Sequence, residues 1–460
     1  MSKTALSETK RYQPYPEYKD SGVEWIGEIP TEWEMWKLSH AYREIGSGTT
    51  PPTTSDEWFG GDIPWVTTGE LRETVINGTK KNISKKAIET FSALRVYPMG
   101  SIAMAMYGAT IGRLGIFGVD ATTNQACCVM TSSGVIDNKY LFYWLWAFRR
   151  DIINLSSGGG QPNINQEKVA SLKISVPMME EQTQIANFLD HETAKIDTLI
   201  EKQQQLIKLL KEKRQAVISH AVTKGLNPDA PMKDSGVEWL GEVPEHWKLV
   251  LFKYLVSQMG GATPDKGNVS FWNGNIPWVS PKDMKVDYIS TSQDFITDVA
   301  VKNSSTKLVP DQSILMVVRG MILIHSIPVA LTTRPVTINQ DMKALIPNKE
   351  IQPEFLLFFL KGIKDYILDF VETSAHGTKC LRTEDFENMC LFIPPIDEQV
   401  AILSSIKTSL DKLDLLIQKA ETAIELLKER RTALISAAVT GKIDVRNWQN
   451  IHVKKEEEAS

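Results

Sequence analysis

Two stretches of the chain carry mostly apolar or small residues at the alternating four-three spacing of a coiled-coil seam. The seam of the first stretch consists of Leu189, Thr193, Ile196, Ile200, Gln203, Ile207, Leu210 and Val217. The seam of the second consists of Ile406, Leu410, Leu413, Ile417, Ala420, Ile424, Leu427 and Leu434. An arginine occupies the single interruption in each stretch, Arg214 in the first and Arg431 in the second. The spacing predicts two long amphipathic helices.

Helix start and stop signals flank both stretches. Pro177 and Pro394 precede them, and Gly225 and Gly441 follow them. Each helix should therefore run for about 40 residues, or roughly 60 Å. The two seams are buried most economically on each other, and an antiparallel pair is favoured because the body between them can return the chain. The alternatives are a helix that folds back on its own body and a pair formed between two chains.

The regions outside the helices have a different pattern. Short apolar runs such as residues 101–106 and 313–318 are broken by Gly, Pro, Asn and Thr, which is typical of strands in a mixed domain. An aromatic-rich helix is predicted near 138–153 and again near 353–371, with its apolar residues in the core.

The whole order of elements occurs twice. Residues 19–30 (KDSGVEWIGEIP) return as residues 233–244 (KDSGVEWLGEVP), and GDIPWV at 61–66 returns as GNIPWV at 274–279. Such a duplication means that one architectural unit is used twice. The fold class is therefore α+β: two tandem mixed α/β domains separated by two long antiparallel α-helices, an intramolecular coiled coil with pseudo-twofold symmetry. The predicted bounds are an N-terminal tail over 1–18, a first domain over 19–178, a central helix over 179–226, a second domain over 233–395, a C-terminal helix over 396–443 and a disordered tail over 444–460.

Composition limits the class of protein. The chain has 460 residues with a formal net charge of −5, which is not typical of a generic nucleic-acid binder. Its four cysteines show neither metal-ligand spacing nor a C-x-x-C pair, so we expect a reducing, cytoplasmic setting without disulfides or a metal. The apolar runs are too short for a membrane span, and the polar N-terminus does not resemble a secretory signal.

Motifs of the common catalytic classes are missing from the sequence. Glycines 108, 112 and 115 do not match the dinucleotide fingerprint, and the sequence holds neither a Walker A motif nor an Asn/Asp-Pro-Pro-aromatic methyltransferase loop. The seven histidines have no metal-spaced partners. We therefore expect no catalytic site.

Polar, glycine-containing loops recur at matched positions but differ in content. Residues 47–51 (SGTTP) match 260–264 (GGATP), and residues 157–163 (SGGGQPN) match 374–380 (SAHGTKC). Glycine permits close backbone approach, while Gln, Asn, Lys, Thr and Arg supply the donors and acceptors that distinguish base edges. Any single loop of this kind can equally be a solvated turn.

The order of these motifs resembles the DNA specificity subunit of type I restriction–modification enzymes. Each copy has a Gly-[Asp/Asn]-Ile-Pro-Trp-Val body, an Asn-Gln strand, a Pro-x-x-[Glu/Asp]-Glu-Gln entry and a helix ending in Leu-Leu-Lys-Glu-[Lys/Arg]-Arg. The resemblance covers about residues 14–445. It implies a non-catalytic protein whose two target-recognition domains each read one half of an asymmetric bipartite site on double-stranded DNA, with the helices fixing the gap.

The resemblance also implies partners and cofactors. Two modification (methyltransferase) subunits bind the helices and the repeated N-terminal segments, and restriction subunits with translocase and nuclease activity join the full complex. S-adenosylmethionine, ATP and Mg belong to those partners, and this chain needs no cofactor or metal. The residues expected in partner binding or in the spacer are Trp25, Trp239, Leu189, Ile196, Ile200, Leu210, Ile406, Leu413, Ile417 and Leu427.

Comparison of the two copies selects the candidate DNA contacts. Residues shared by both copies, such as Trp65/Trp278 and Asn124/Asn339, cannot explain two different half-sites, so they are expected to be scaffold or docking residues. The dissimilar loops supply the candidates for DNA binding, with Arg113 and Arg319 able to grip a guanine through two hydrogen bonds. The candidates are Thr49, Thr50, Thr67, Thr68, Tyr107, Arg113, Gln161, Asn163, Thr263, Lys266, Lys282, Arg319, His376, Lys379 and Arg382.

Two other functions remain open at this point. One is a duplicated DNA-binding protein that acts alone, and the other is a coiled-coil scaffold whose domains bind proteins. An apolar helix face left exposed would favour a protein with partners over one that acts alone.

Overall fold

The computed structural model describes residues 12–155, 163–374 and 377–449. They divide into two compact units. The first unit contains the described residues up to Gln203 and those from Thr422 onward, and the second unit contains Gln204–Glu421. Each unit therefore holds one globular body and a part of each long helix.

The body of the first unit is built from short strands and helices. Its strands are β1 Tyr18–Asp20, β2 Glu28–Pro30, β3 Glu34–Lys37, β4 Ile45–Ser47, β5 Phe59–Val66, β6 Thr74–Ile76, β7 Asn82–Ile83, β8 Ile102–Ala105, β9 Leu114–Phe117, β10 Thr122–Thr123, β11 Cys127–Met130 and β12 Lys173–Val176. Its short helices are α1 Leu38–Ala41, α2 Lys85–Thr90, α3 Asn138–Ala147, α4 Arg149–Asn154 and α5 Gln166–Ser171. The long helix α6, Met179–Lys224, begins in this unit.

The body of the second unit repeats this order. Its strands are β13 Met232–Asp234, β14 Glu242–Pro244, β15 Lys248–Leu251, β16 Val256–Gly260, β17 Trp272–Val279, β18 Tyr288–Ile289, β19 Asp294–Ile296, β20 Ile314–Val317, β21 Val329–Thr332, β22 Thr337–Ile338, β23 Met342–Pro347, β24 Val371–Thr373, β25 Lys379–Leu381 and β26 Cys390–Ile393. Its helices are α7 Asp298–Asn303, α8 Pro353–Gly362, α9 Lys364–Leu368 and α10 Thr383–Glu387. The second long helix, α11 Ile396–Val439, also begins here.

The five-stranded and three-stranded sheets of the two units have the same topology. A five-stranded mixed sheet has the order β4-β11-β8-β9-β6 in the first unit and β16-β23-β20-β21-β18 in the second. A three-stranded sheet has the order β10-β5-β7 in the first and β19-β17-β22 in the second, with equivalent central strands. The duplication seen in the sequence is therefore a duplication of structure.

The aromatic-rich helices form core, as the sequence predicts. In α3 the run from Tyr140 to Leu145 is buried throughout, and in α8 the run from Phe355 to Leu360 is buried as well. The Asp137 carboxylate caps α3 by accepting a hydrogen bond from the Tyr140 amide at 2.9 Å. Helices that are apolar on all sides must lie inside the domain.

The repeated Glu-Gln pair explains how each long helix leaves its body. The fully buried Gln182 donates to the Val135 and Pro177 carbonyls at 2.8 and 2.9 Å, and Gln399 makes matching bonds to Glu350 and Pro394 at 3.0 Å. Burying an amide is tolerated only when its donors and acceptors are paired. The two glutamines therefore lock the first turns of α6 and α11 to their bodies.

The preceding glutamates fasten the N-terminal segments of the bodies. The Trp33 indole N–H donates to Glu181 Oε1 at 3.0 Å, and the Trp247 indole N–H donates to Glu398 Oε1 at 3.2 Å. The Tyr15 hydroxyl also donates to Glu181. Burial, reinforced by this carboxylate, raises the pKa of Tyr15, so its hydroxyl remains a donor.

The long helices bury the predicted seams. No seam residue is exposed: positions such as Leu189, Ile196, Leu210, Ile406 and Leu413 are buried, and the others, including Ile200, Ile417 and Leu427, are half-buried. In the first unit Asp197 of α6 pairs with Arg431 of α11 at 3.1 Å, whereas the earlier Gln184 reaches the later Val445 carbonyl at 3.3 Å. An earlier residue of the first segment thus contacts a later residue of the second, which means that the two segments run antiparallel.

The second unit has the matching ion pair. Arg214 Nε lies 3.3 Å from Asp414 Oδ1, and these residues occupy the positions of Arg431 and Asp197 in the other copy. The arginines that interrupt the two seams are therefore used in the same way. The fold class predicted from the sequence, two tandem mixed domains with two long antiparallel helices, is confirmed within each unit.

Both ends of the described chain are more ordered than the sequence suggests. The expectation of a disordered tail from residue 444 is wrong for residues 444–449: Val445 is 1% exposed, and the Trp448 ring packs on Phe188 at 5.5 Å. Residues before 19 are not a loose tail either, since Tyr15 is buried and Gln13 accepts a hydrogen bond from the Asp444 amide at 2.7 Å. Residues 450–460 lie outside the described part of the chain.

Candidate nucleic-acid interface

Several loops meet at one end of the five-stranded sheet in each unit. In the first unit β11 pairs antiparallel with both β4 and β8, with Cys128 opposite Ser47 and Met104. The carboxyl ends of β4 and β8 therefore lie beside the start of β11. The loops at 47–51, 106–113 and 124–126 share this end of the sheet. We call it the recognition end of the unit.

A fourth segment joins the same end. Tyr107 and Asn163 form an isolated β-bridge, and the Ile164 amide donates to the Met106 carbonyl at 2.8 Å. In the second unit Arg319 forms the equivalent bridge with Cys380, and the Gly320 amide donates to the Lys379 carbonyl at 2.9 Å. The structure thus brings together Tyr107 with Asn163, and Arg319 with Lys379, as candidate contacts that lie far apart in sequence.

A threonine and a glutamine pair across the recognition end of each unit. The Thr50 hydroxyl donates to Gln125 Oε1 at 2.6 Å, and Thr263 makes the same bond to Gln340. Both glutamines are exposed. Because the amide oxygen accepts from the threonine, the amide N–H groups remain as donors. Gln125 and Gln340 were missed by the sequence reasoning, although the matching Asn-Gln pairs were the available signal.

Shared residues support these threonine loops from below. The Trp65 indole N–H donates to the Thr49 carbonyl at 3.3 Å, and the Trp278 indole N–H donates to the Ala262 carbonyl at 3.0 Å. Gly48 lies so close to the Thr123 carbonyl that a Cβ would come within 1.7 Å of its oxygen. The tryptophans therefore have a scaffold role.

The turn after the central strand of the three-stranded sheet also reaches this end. The backbone N–H of Asn124 donates to the Val66 carbonyl at 3.1 Å, which places Thr67 and Thr68 next to the Asn-Gln turn. The Thr67 hydroxyl is engaged by Glu70, whereas Lys282, in the equivalent turn of the second unit, is exposed. Thr67 is thus occupied within the fold, while Lys282 is available to a ligand.

The candidate arginines fall into two groups. Among the described residues the side chains of Arg113 and Arg319 have no hydrogen-bond or ion-pair partner, and Arg319 is exposed. Arg382 instead pairs with Asp385 at 2.7 Å and donates to the Asp369 carbonyl at 3.3 Å. A guanidinium held in this way is a poorer base reader, because a contact with DNA would have to replace an existing ion pair.

The remaining details concern five of the candidate DNA contacts. Lys266 is exposed in a turn beyond Pro264, and Lys379 donates to the Thr373 hydroxyl at 2.7 Å. Burial raises the pKa of Tyr107, so its hydroxyl stays protonated and can donate. Gln161 and His376 lie outside the described residues.

One positioning residue was not found from the sequence. Arg149 donates to the Ile111 carbonyl at 3.2 Å and pairs with Glu73 at 3.1 Å, and its side chain packs against Gly112. It therefore braces the loop that carries Arg113. Its position in the helical stretch after α3 gave no sequence signal of this contact.

Leucines that are not in the seams lie exposed on the long helices. Leu206 and Leu415 of the second unit have no leucine counterpart in the first, but the other four recur: the first unit exposes Leu199 and Leu426, and the second exposes Leu209 and Leu416 at the equivalent positions. All four fall on the c and g positions of the heptads, which are adjacent on a helix surface. Trp25 and Trp239 pack instead inside their own units, Trp25 against Phe148 at 5.1 Å and Trp239 stacked on Tyr366 at 4.2 Å.

The described residues contain neither a group of metal-ligand side chains nor a helix that could cross a membrane. In those parts of the chain, no three His, Cys, Asp or Glu side chains are grouped as metal ligands. Burial raises the pKa of Cys128 to about 12, so its thiol stays protonated. Every described helix is too short or too polar to cross a bilayer.

The sequence matches a family model twice, once in each copy. The model is that of the type I restriction modification DNA specificity domain, and it covers residues 30–209 and 244–426. The MjaIX specificity subunit of Methanocaldococcus jannaschii is 27% identical over 437 residues, which are 91% of this chain and 95% of that protein. The EcoR124I/EcoR124II specificity subunit of Escherichia coli is 37% identical over 187 residues, which are 40% of this chain and 42% of that protein.

Solved structures show the same fold. A chain from a structure of the type I R-M system, described for complex assembly and conformational transition, has a TM-score of 0.66 at 16% identity and covers 90% of this chain and 99% of its own. The HsdS subunit of Thermoanaerobacter tengcongensis has a TM-score of 0.56 at 15% identity, with 90% and 98% covered. With both copies matched by the family model and the fold shared, the chain belongs to the type I restriction–modification DNA specificity family.

Proposed function

We propose that this chain chooses the DNA sequence for a type I restriction–modification complex, with each unit reading one half of a bipartite, asymmetric site on double-stranded DNA. The observation that carries the proposal is the pair of recognition ends. They share a scaffold of Trp65/Trp278 and Thr50–Gln125/Thr263–Gln340, and they carry different residues above it. A shared frame with different contents suits two different half-sites read in the same manner.

Base readout in this proposal comes from the side chains that the fold leaves unoccupied. Arg113 serves the first half-site, and Arg319 and Lys282 serve the second. Arg382 and Thr67 contribute less, because each is already engaged by a neighbouring carboxylate. A guanidinium that binds a guanine through two hydrogen bonds discriminates against the wrong base by roughly 1–3 kcal/mol.

The long helices set the gap between the half-sites and bind two modification subunits. The exposed leucines support this role, since each unit presents them at equivalent positions and two identical partners require two equivalent surfaces. The restriction subunits join through the modification subunits. The partner subunits bind S-adenosylmethionine, ATP and Mg, and the complex is cytoplasmic.

The same leucines weigh against a DNA-binding protein that acts alone. Leu209 and Leu426 are 61% and 47% exposed, and such side chains on both copies are better explained by partners that cover them. A scaffold that binds only proteins is disfavoured by Arg113 and Arg319 at the recognition ends, whose side chains have no partner in the part of the chain that the structure describes.

The test is to co-express the chain with candidate modification subunits, purify the complex and map methylated adenines by single-molecule sequencing. We expect one gapped motif that disappears when the chain is deleted. A complex that gives no gapped motif, or a motif that persists without the chain, would overturn the proposal.

A further inference from the structure

The second unit exposes a group of large apolar side chains at its recognition end. They lie in a single 3-10 turn, Met321–Ile324, where Met321, Ile322 and Ile324 are 60%, 42% and 45% exposed. Leu323, between them, is 1% exposed and anchors the turn in the core. Scattered apolar residues on a surface are ordinary, but a contiguous group marks a contact site. We call Met321, Ile322 and Ile324 the apolar tip.

The apolar tip lies among the candidate DNA contacts. It follows Arg319, whose guanidinium has no partner among the described residues. The Val318 amide donates to the Asp341 carbonyl at 2.9 Å, and Gly320 donates to Lys379 at the same distance. Gln340 and Lys379 therefore belong to the loops next to the turn.

The fold does not require an apolar tip, as the first unit demonstrates. There the equivalent 3-10 turn is Gly108–Thr110, which follows Tyr107 and is anchored by Ile111 at 7% exposure. Ala109 and Thr110 stand where the second unit has Met321 and Ile322. The anchor is common to both units, and the exposed residues differ.

This difference points to DNA and not to a protein as the partner of the tip. Surfaces for two identical subunits should recur in both copies, as the matched pairs Leu199/Leu416 and Leu209/Leu426 of the long helices do. Among the described residues the apolar tip occurs in the second unit alone, on a loop whose Arg319 has no partner within that part of the chain. That combination suits a contact that differs between the two half-sites.

We infer that the apolar tip reads thymine in the second half-site through the 5-methyl groups in the major groove, an inference that rests on the function proposed above. The thymine methyl is the one apolar group on the major-groove edges of the four bases. A methionine and two isoleucines can enclose a methyl group, whereas Ala109 and Thr110 in the first unit offer less apolar surface. The contact would fix an A·T pair next to the base that Arg319 binds.

The test uses the assembled complex and its mapped site, with each thymine of the second half-site replaced in turn by deoxyuridine. This removes one methyl group and leaves base pairing intact. We expect at least one replacement to weaken binding by about fourfold, the value of one buried methyl group. Met321→Ala/Ile322→Thr, which installs the residues of the first unit at two of the three tip positions, should weaken binding to the unmodified site and reduce the sensitivity to deoxyuridine.

Two controls belong to this experiment. Deoxyuridine in the first half-site should have the same effect on the wild type and on the double variant. The variant should also unfold at the wild-type temperature and retain its modification subunits, because both substituted side chains are exposed and Leu323 is kept.

The alternatives give different results. A wild-type complex that binds its gapped site but tolerates every deoxyuridine would overturn the methyl contact while leaving the proposed function intact. Loss of the modification subunits from the variant would make the tip a protein interface. If 2-aminopurine fluorescence shows that the tip unstacks the bases, and deoxyuridine does not change the affinity, the tip acts as a wedge between base pairs. That result also overturns the inference. A wild-type complex without a gapped site would refute the proposed function itself.

Discussion

The two recognition ends of this protein share a layer of supporting residues and differ in the turn above it. We call the shared layer, Trp65, Thr50 and Gln125 with their counterparts Trp278, Thr263 and Gln340, the floor, and we call the turns at 107–110 and 319–322 the rim. In both units an indole N–H supports a threonine loop, and the threonine hydroxyl holds an exposed glutamine. Above this floor the first unit presents Tyr107, Ala109 and Thr110, and the second presents Arg319, Met321 and Ile322 at the same positions. The residues that support these loops, with the exposed glutamine, are the same in both units, whereas the residues of the turn above them differ.

This difference separates architecture from choice of ligand. A buried side chain touches many neighbours, so a change there affects the whole unit, whereas an exposed side chain in a loop can change at little cost to stability. The protein can therefore keep one fold in both copies and still bind two unlike half-sites. Changes at matched positions should consequently have equal effects in the floor and unequal effects at the rim.

The largest expected loss of folding free energy comes from replacing the buried tryptophans of the repeat. Trp33 and Trp247 are at most 1% exposed, and each donates to the glutamate that begins a long helix. Trp33→Ala and Trp247→Ala should each cost about 3–5 kcal/mol of folding free energy, with the loss confined to the unit that carries the substitution. Hydrogen exchange measured by mass spectrometry would locate the loss. Trp36→Ala, at a half-buried position, is the control with a smaller cost.

That prediction would be contradicted if either tryptophan variant loosened both units equally, because the repeat would then act as a single core. It would also be contradicted if one of the two matched variants had no effect on protection.

A smaller effect should distinguish the arginines of the two seams. Arg431 pairs with Asp197 and also lies over the Trp146 ring at 4.1 Å, whereas Arg214 pairs with Asp414 and the counterpart of Trp146 is Lys361. Arg431→Ala should therefore cost about 1 kcal/mol more than Arg214→Ala in urea unfolding, because it also loses a cation–π contact. In the Trp146→Ala background the difference should shrink to the part that comes from the second contact of Arg431, between its Nη2 and Asp197 Oδ2 at 3.1 Å. Equal costs in the wild-type background would rule out a contribution from the ring.

The smallest effect concerns the shared glutamines. Gln125→Ala and Gln340→Ala should each weaken DNA binding by about threefold, or ~0.6 kcal/mol, through the loss of amide donors. Since the floor is common to both units, the ratio between the cognate site and sites with base changes should not alter. Fluorescence anisotropy of labelled duplexes measures both quantities, and Gln204→Ala, on the exposed side of α6, is the control. A changed ratio would show that the glutamines distinguish between bases, which contradicts their assignment to the floor.

The long helices could be predicted from the sequence because their periodicity is a local signal. Every seam position is buried or half-buried, and α6 ends at Lys224, just before Gly225 with φ +77°. The repeat likewise predicted two equivalent mixed domains. Both features are recorded in the spacing of residue types along the chain, so no tertiary information was needed.

The availability of individual side chains could not be predicted in this way. Arg382 and Arg319 have the same chemistry, yet the first is paired with Asp385 and the second is free of partners among the described residues. The order of residues 444–449 likewise depends on contacts with Tyr15 and Phe188, which lie hundreds of positions earlier. Such partners are set by tertiary packing. The shared glutamines were missed for another reason: identity between copies was equated with distance from the ligand.

The division between readers and spacer can be tested directly by lengthening the helices. One heptad would be inserted after Gln203 in α6 and one after Ile424 in α11, opposite each other in the register of the Asp197–Arg431 pair. Seven residues add about 10 Å of helix. Mapping of methylated adenines should then show both half-sites unchanged and a gap longer by about three base pairs, at roughly 3.4 Å each. A changed half-site, or an unchanged gap in a complex that still methylates DNA, would contradict the account.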